Sequence, residues 1–366
     1  MTADHQGGRG LPRRRLLALA ALALPAACST APGLPEAAAA TNPVLPSASG
    51  SAAPAASAKP SASPSRSATP APAPSASATT KAAPARGGPV PFRAGRVMLG
   101  SYLALNGRSL KQSLALRRRQ LGREQRIVHV FYPWNGYVPR SEPDVAASST
   151  LMVSWHGAPY RQITNGSSDR IIAGVAKKLA GMKRPILLRW GWEMNGNWFE
   201  WDGSHNGQDT GGYVKAWRRL HRIFREHGAD NVAWVWSPNW NSGPNVSWNR
   251  FSRYYPGDDY VDWVGVSGYD FSGESPKTMF TAICAAYGER KPIILSETAA
   301  VDYGGLSKAA WIGKLSAWVK ATPAVGAVVW FDTDTQAGTD HNFRPDTDGE
   351  TLAAYRAMVR SSRFAG

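Results

Sequence analysis

Short apolar runs alternate with amphipathic stretches along the chain after residue 90. The apolar runs are rich in Val, Ile and Leu, which is typical of strands buried on both faces. They predict strands at Val97–Leu103, Arg126–Tyr132, Thr150–Trp155, Pro185–Trp190, Asn231–Ser237, Val261–Ser267, Pro292–Glu297 and Ala324–Trp330. The amphipathic stretches repeat apolar residues every three to four positions, which predicts helices. These lie at Leu110–Gly122, Ser168–Met182, Thr210–His227, Pro276–Tyr287, Ser307–Lys320 and Gly349–Ser361.

This alternation of strands and helices predicts the fold class. Eight strands with helices between them favour an α/β fold built as a closed parallel barrel, the (β/α)8 TIM barrel. An open, doubly wound sheet is the alternative. It is disfavoured because no G-x-G-x-x-G phosphate loop follows a predicted strand. We assign the barrel to residues 91–366, which is the usual size of that architecture.

The first 90 residues have a different composition. No Phe, Tyr or Trp occurs before Phe92, and all 15 Trp lie after it. Residues 1–28 predict a signal peptide, with a basic start and an apolar stretch too short to span a bilayer, ending in a lipobox-like sequence at Cys28. Residues 29–90, mostly Ala, Pro, Ser and Thr, predict a disordered linker. We therefore expect an exported protein, either a cell-envelope lipoprotein or a secreted one.

Charge and cysteine content narrow the classes of partner. The formal net charge of +16 fits either a basic soluble surface or attraction to anionic envelope polymers or phospholipids. Nucleic acid is not expected, because the basic residues are scattered and no nucleic-acid module signature occurs. We expect contact with a membrane only through a lipid anchor at Cys28. No Cys/His cluster has zinc-ligand spacing, so no metal and no cofactor are expected. A single barrel needs no partner to complete its site, which favours a monomer.

Two glutamates at the ends of apolar runs predict the chemistry. Glu193 follows the run Pro185–Leu188 among several indole rings, and Glu297 ends a later run. In a parallel barrel the carboxyl ends of the strands form one rim, which brings both acids together. A carboxyl group among aromatic rings is poorly solvated, so its pKa rises. A pair of carboxylic acids is what glycosidic bond cleavage requires.

The two acids are expected to have different roles. Glu193 is the candidate general acid/base and Glu297 the candidate nucleophile of a retaining glycosidase, with carboxyl groups about 5 to 5.5 Å apart. We expect Tyr269 to donate a hydrogen bond to Glu297. The alternative for each acid is a structural role without catalysis. Glu193 would then pair with Arg189, and Glu297 would pair with a lysine.

Aromatic and polar residues at the same rim predict a sugar-binding cleft. Trp198, Trp201, Trp240 and Trp330 are candidates for stacking on sugar faces, with packing within the barrel or its loops as the alternative for each. His156 is either a substrate ligand or a rim histidine bonded within the protein.

These segments together resemble glycoside hydrolase family 26, best known for β-mannanases. The resemblance is carried by Ser154–His156, Glu193–Gly196 with Trp198, Trp234–Asn239, Tyr254–Asp262, Val264–Tyr269 and Pro292–Glu297. It implies a (β/α)8 barrel and retaining hydrolysis of β-linked glycans. It also implies that Glu193 is the acid/base, that Glu297 is the nucleophile and that Tyr269 bonds to it.

The resemblance further implies a set of substrate-binding residues. Trp330 would be the platform under the cleaved sugar, His156 and Trp198 would line neighbouring subsites, and Trp192 and Asn195 flank the acid/base. Two positions depart from the family. Trp192 stands where His usually precedes the acid/base, and Phe331 stands where mannanases tend to have Arg.

The resulting expectation is an endo-acting hydrolase of β-1,4-mannan-type polysaccharide. The alternatives within the family are a mixed-linkage β-1,3-1,4-glucanase and a β-1,3-xylanase. Two further alternatives are not hydrolases: a non-catalytic glycan-binding barrel and a transglycosylase that remodels envelope polysaccharide.

Overall fold

Eight parallel strands close into a barrel in which β1 pairs with both β2 and β8. The computed structural model describes residues 86–135, 137–303, 307–334 and 341–364. The predicted signal peptide, the lipobox at Cys28 and nearly all of the predicted linker lie outside the described residues. The closed, consecutive strand order confirms the (β/α)8 barrel and excludes the open doubly wound sheet.

The strands lie close to their predicted positions. They are β1 Met98–Ala104, β2 Ile127–Tyr132, β3 Thr150–Trp155, β4 Ile186–Trp190, β5 Val232–Trp236, β6 Trp263–Asp270, β7 Ile293–Ala300 and β8 Val325–Thr333. The last three strands extend three residues beyond their predicted ends. Glu297 and Trp330 therefore lie within strands, and their side chains take the direction that the local strand geometry sets.

Helices cover the outside of the barrel. They are α1 Leu110–Leu121, α2 Tyr160–Thr164, α3 Asp169–Gly181, α4 Thr210–Glu226, α5 Pro276–Tyr287, α6 Lys308–Ala321 and α7 Gly349–Arg360. Side chains of Ser109, Asp209, Ser275, Ser307 and Asp348 accept hydrogen bonds from the first-turn amides of the helices that they precede. Within the described residues, the connection from β2 to β3 contains no helix. None of the described helices is long and apolar enough to cross a membrane.

Residues 86–92 close the amino-terminal end of the barrel. The indole Nε1 of Trp263 donates to the carbonyl oxygens of Gly87 and Val90, at 3.1 and 2.9 Å. Val90 is buried, and the ring of Phe92 packs edge-on against Trp263 with centroids 6.2 Å apart. Gly87 and Val90, which precede the residues assigned to the barrel, therefore contact its amino-terminal end.

The inside of the barrel has two chemically distinct layers. The apolar layer comprises Ile127, Met152, Leu187, Val235, Ile294 and Val329, which pack with the plug formed by Val90 and Trp263. The polar layer lies further along the same barrel strands and comprises His129, Ser154, Arg189, Ser237, Ser267, Ser296 and Glu297. Because side chains alternate along a strand, residues two positions apart share a face, and the polar layer lies towards the carboxyl-terminal rim.

Candidate active site

Arg189 lies between two buried carboxyl groups. Its Nη1 contacts Oε1 of Glu297 in a short ion pair, and its Nη2 is 3.7 Å from Oε1 of Glu193. All three side chains are almost completely buried. The two glutamates, 104 positions apart in the chain, thus meet at one guanidinium, as expected for strand ends that share a rim.

Glu193 is held in an unusual backbone conformation just after β4. Its φ angle is +55°, a region that non-glycine residues rarely occupy and that is common at functional sites. Its amide nitrogen donates to the carbonyl of Ser237 at 2.8 Å, and Nε1 of Trp198 donates to Oε2 at 3.2 Å. Burial and the nearby charge of Glu297 raise the pKa of Glu193 to about 6, against a smaller lowering effect of Arg189. The rise predicted from the aromatic surroundings is therefore present.

A bulge in β7 directs Glu297 into the barrel. Leu295 pairs with Val266 and Glu297 pairs with Ser267, so Ser296 is an extra residue in the ladder. Ser296 bonds to Ser237 across the barrel at 2.7 Å, while the next residue, Glu297, contacts Arg189. Such bulges redirect side chains and are over-represented next to active sites.

Tyr269 contacts the other carboxylate oxygen of Glu297. Its hydroxyl donates to Oε2, which is the hydrogen bond expected from the sequence. Burial and the Glu297 charge raise the pKa of Tyr269 well above its ordinary value, so the phenol keeps the proton that it donates. Glu297 therefore accepts from a guanidinium on one oxygen and from a phenol on the other, which fixes the orientation of its carboxyl group.

Four of the predicted substrate-binding residues are partly exposed: His156, Trp198, Trp240 and Tyr269. Trp198 lies over Gly196, where an added Cβ atom would approach its ring to 2.6 Å. The backbone of Trp240 is bound to the carbonyl of Ser267 at 2.9 Å, which fixes the loop after β5 beside the site. The ring of His156 packs against Trp192 and Trp201, and burial lowers its pKa.

The other four predicted substrate-binding residues are buried, which corrects their assignment. Trp330 is completely buried and faces α6 and α7, where its ring packs against Trp311 and Tyr355. The alternation of β8 explains this position, since Ala327 and Val329 face the barrel interior and Trp330 must face outward. Trp330 is therefore part of the barrel packing and offers no face to a sugar.

Trp192, Trp201 and Asn195 are buried for different reasons. The ring of Trp192 lies under the Arg189 guanidinium at 5.1 Å, and Trp201 stacks on Phe199 with centroids 4.3 Å apart. Asn195 joins the loops after β4 and β5. Its side chain accepts from the amide of Asn239 at 2.8 Å and donates to the carbonyl of that residue at 2.9 Å. These residues shape and support the site from below.

Several polar residues of the site were not predicted to be functional. Arg189 was considered only as a partner of Glu193, whereas its closest carboxylate is Glu297. His129, Ser154 and Ser267 complete its surroundings. The signal that identifies them is a polar residue at an inward position of a strand that is otherwise apolar. Among the described side chains, no group of three or more His, Cys, Asp or Glu is arranged to hold a metal ion.

Comparison with known proteins agrees with this geometry. A family model described as glycosyl hydrolase family 26 matches residues 141–325, half of the chain. The chain belongs to glycosyl hydrolase family 26. It is 31% identical over 258 residues to endoglucanase H of Acetivibrio thermocellus, a match that covers 65% of this chain and 28% of that protein. It is 28% identical over 153 residues to mannan endo-1,4-beta-mannosidase A of Piromyces, covering 41% and 22% of the two chains.

A solved structure shares the fold. The family 26 β-mannanase of Bacteroides ovatus superposes with a TM-score of 0.58 at 18% identity, covering 74% of this chain and 90% of that one. The chain spans less than a third of the length of the two curated relatives. Their activities are therefore a guide to this family 26 barrel and are carried over only as a proposal.

Proposed function

We propose that this protein is a retaining endo-β-glycanase in which Glu193 is the acid/base and Glu297 is the nucleophile. The observation that carries the proposal is the asymmetric environment of the two acids around Arg189. Glu193 has a pKa raised to about 6, so near neutral pH a fraction of the molecules hold the proton that a leaving group needs. Glu297 is held by Arg189 on one oxygen and by Tyr269 on the other, so its carboxyl group is fixed in one orientation for attack.

In the first step, a carboxylate oxygen of Glu297 attacks the anomeric carbon. The bond from that carbon to the glycosidic oxygen breaks as Glu193 gives its proton to that oxygen, which leaves a covalent glycosyl ester on Glu297. In the second step, Glu193 takes a proton from water. The water oxygen attacks the anomeric carbon and the ester bond to Glu297 breaks. Two inversions at one carbon give net retention.

We further propose that the substrate is a β-1,4-mannan-type polysaccharide. The resemblance of the site segments to β-mannanases and the match to a mannan endo-1,4-beta-mannosidase support this choice. The second candidate is a β-glucan, favoured because the match to endoglucanase H covers a larger share of this chain. His156, Trp198, Trp240 and Tyr269 are the residues that we propose contact the sugars, since each is partly exposed and Trp198 and Tyr269 bond to the two acids.

Reducing-sugar release by the full chain tests the proposal. The polymers are galactomannan, barley β-glucan, β-1,3-xylan and cellulose, and the matched control is Glu297→Gln. Release from galactomannan that is absent in the control supports the mannan proposal. Release only from β-glucan moves the assignment to the second candidate. No release from any polymer, with a correctly folded protein, contradicts the proposal and favours a glycan-binding barrel.

Export and lipid anchoring remain proposals that rest on the sequence of residues 1–28. An exported enzyme would reach polymers outside the cell. The mass of the amino-terminal peptide of the mature protein tests this. A diacylglycerol-modified Cys28 supports anchoring, an unmodified cleaved terminus supports secretion, and an intact Met1 in the cytoplasm contradicts both.

A further inference from the structure

We propose that His129 is a positioning residue whose neutral ring accepts the hydroxyl proton of Ser154 and so fixes the Arg189 guanidinium between Glu193 and Glu297. This inference rests on the proposed function, because it assigns a purpose to a residue beneath the two acids. His129 lies on β2, and Ser154 and Arg189 lie on the next two strands. The three side chains form a continuous chain of polar contacts across neighbouring strands.

His129 is completely enclosed. It is 1% exposed, and its ring packs against Phe131 with centroids 4.4 Å apart and against Tyr102 with centroids 5.9 Å apart. Burying a polar ring in an otherwise apolar position has a cost unless its nitrogens form hydrogen bonds. Its Nε2 atom lies 2.6 Å from Oγ of Ser154, which is a good hydrogen-bond distance. The other ring nitrogen, Nδ1, is buried with no hydrogen-bond partner among the described residues, so Ser154 is the one hydrogen-bond partner that the ring has there.

The direction of this hydrogen bond follows from what Ser154 contacts. Nη1 of Arg189 lies 3.2 Å from Oγ of Ser154, and a guanidinium can only donate. Ser154 thus uses one lone pair for Arg189 and still has one proton to place. Among the described residues, the remaining partner of Oγ is Nε2 of His129. A proton on Nε2 would leave both the Ser154 hydroxyl proton and the buried Nδ1 atom without a partner, whereas a proton on Nδ1 leaves only that one group without a partner. Ser154 therefore donates to Nε2, and the ring carries its own proton on Nδ1.

The charge of the ring supports the same assignment. Burial, followed by the nearby positive charge of Arg189, lowers the pKa of His129 well below its ordinary value. A neutral ring with an unprotonated Nε2 presents an acceptor to Ser154, so the hydroxyl donates to His129 and accepts from Arg189. A protonated ring would present a donor instead, and the hydroxyl proton would then have no acceptor among its described contacts. A neutral His129 is thus what holds the Ser154 hydroxyl in one orientation.

This contact matters because Arg189 affects both acids. The Ser154 and Ser267 hydroxyls accept from opposite ends of its guanidinium, and Trp192 lies against its face. The guanidinium held in this way contacts Glu297 and lies 3.7 Å from Glu193. The charges that act on Glu193 are those of Glu297, Arg189 and Asp202, and its hydrogen-bond partners are Ser267, Asn239 and Trp198. Loosening Arg189 removes the nearby cation and raises the pKa of Glu193 further.

The first test is the tautomer of His129 in the wild-type full chain. Nitrogen-15 NMR of the histidine rings distinguishes a protonated from an unprotonated nitrogen, and Ser154→Ala identifies the His129 signals. We expect a proton on Nδ1 and an unprotonated Nε2 between pH 5 and 8. A proton on Nε2, or a doubly protonated ring in that range, would overturn the proposal. This readout does not depend on hydrolytic activity, so it stands even if the proposed function fails.

The second test is a matched pair of variants. Gln places an oxygen acceptor near the position of Nε2, whereas Leu fills a similar volume with no acceptor. We expect His129→Leu to lower kcat about 10- to 100-fold through misplacement of Arg189, with KM little changed. In the pH–activity profile of His129→Leu, the apparent pKa of the alkaline limb should rise by up to about one unit. His129→Gln should recover at least tenfold in kcat and restore the wild-type limb.

A double-mutant comparison separates positioning from packing. If His129 acts through Ser154, the variant carrying both His129→Leu and Ser154→Ala should be no slower than the slower single variant. If the double variant lost activity by the product of the two single-variant losses, the proposal would be contradicted. Equal activities of His129→Leu and His129→Gln would contradict it as well. A melting temperature that falls while kcat and the pH limb stay at wild-type values would show that His129 only fills space.

Discussion

The apolar and polar layers of the barrel interior lie on the same strands but have different roles, stability for the first and chemistry for the second. On β3, Met152 of the apolar layer is two residues from Ser154 of the polar layer, and on β4 Leu187 is two residues from Arg189. Both layers are fully buried, so burial does not distinguish them. The apolar layer is stabilised by packing alone, whereas every member of the polar layer needs a partner within it. A barrel can therefore carry chemistry at its rim because the layer beneath supplies the stability.

The largest expected effect is in the polar layer, at the proposed nucleophile. Glu297→Gln should lower kcat/KM about 10⁴-fold or more, because no other described carboxylate contacts both Arg189 and Tyr269. Circular dichroism should still show a folded barrel, although the melting temperature should fall because the buried Arg189 loses its closest carboxylate. Hydrolysis above one thousandth of the wild-type rate, with contamination excluded, would remove Glu297 from the nucleophile role.

Glu193→Gln should have a smaller effect that depends on the substrate. We expect kcat to fall about 10²- to 10⁴-fold on a polysaccharide, whose leaving group must be protonated. On an aryl glycoside with an acidic phenol the fall in the first step should be much smaller. In the wild type, activity should decline as pH rises through about 6, the pKa of Glu193, and this limb should be absent in the variant. Equal losses on both substrates would contradict the acid role.

The apolar layer should show the opposite result. Met152→Ala should destabilise the protein by about 2 to 5 kcal/mol, because it leaves a cavity in the closely packed interior. Once folded, the variant should keep the wild-type kcat, since Met152 is beneath the polar layer. Chemical denaturation and steady-state kinetics on one preparation measure both quantities. A large loss of kcat with little loss of stability would show that the two layers are not separable in this way.

The smallest expected effect is a pH-dependent cost of burying Glu193. Its folded-state pKa of about 6 exceeds the ordinary value of 4.5. The folded state therefore holds this proton more tightly than the unfolded state, and the associated stability is lost as pH rises from about 4.5 through 6. Glu193→Gln cannot ionise, so above pH 7 it should be more stable than wild type by about 2 kcal/mol. Equal stability of the two proteins at pH 5 and at pH 8 would contradict this.

The contrast between the two layers also explains which features of the fold and the site could be predicted from the sequence. Strand positions and the two acids were predictable because apolar runs end where functional residues begin, as at Glu193. Trp330 was misplaced because its strand continues to Thr333, so the pleat turns this ring outward. Glu297 faces inward only through the extra residue Ser296, and a bulge leaves no clear mark in a single sequence. Arg189 and His129 were recognisable in principle, as polar residues at inward positions of apolar strands.

The most direct test of the central claim is the anomeric configuration of the first product. Proton NMR of an active oligosaccharide digest, recorded before mutarotation, resolves the α and β anomers. Retention through Glu297 predicts that the β anomer appears first and that the α anomer grows only by later equilibration. Initial formation of the α anomer would show a single inversion by water. In that case Glu297 would be a base, and the covalent mechanism proposed for this protein would be wrong.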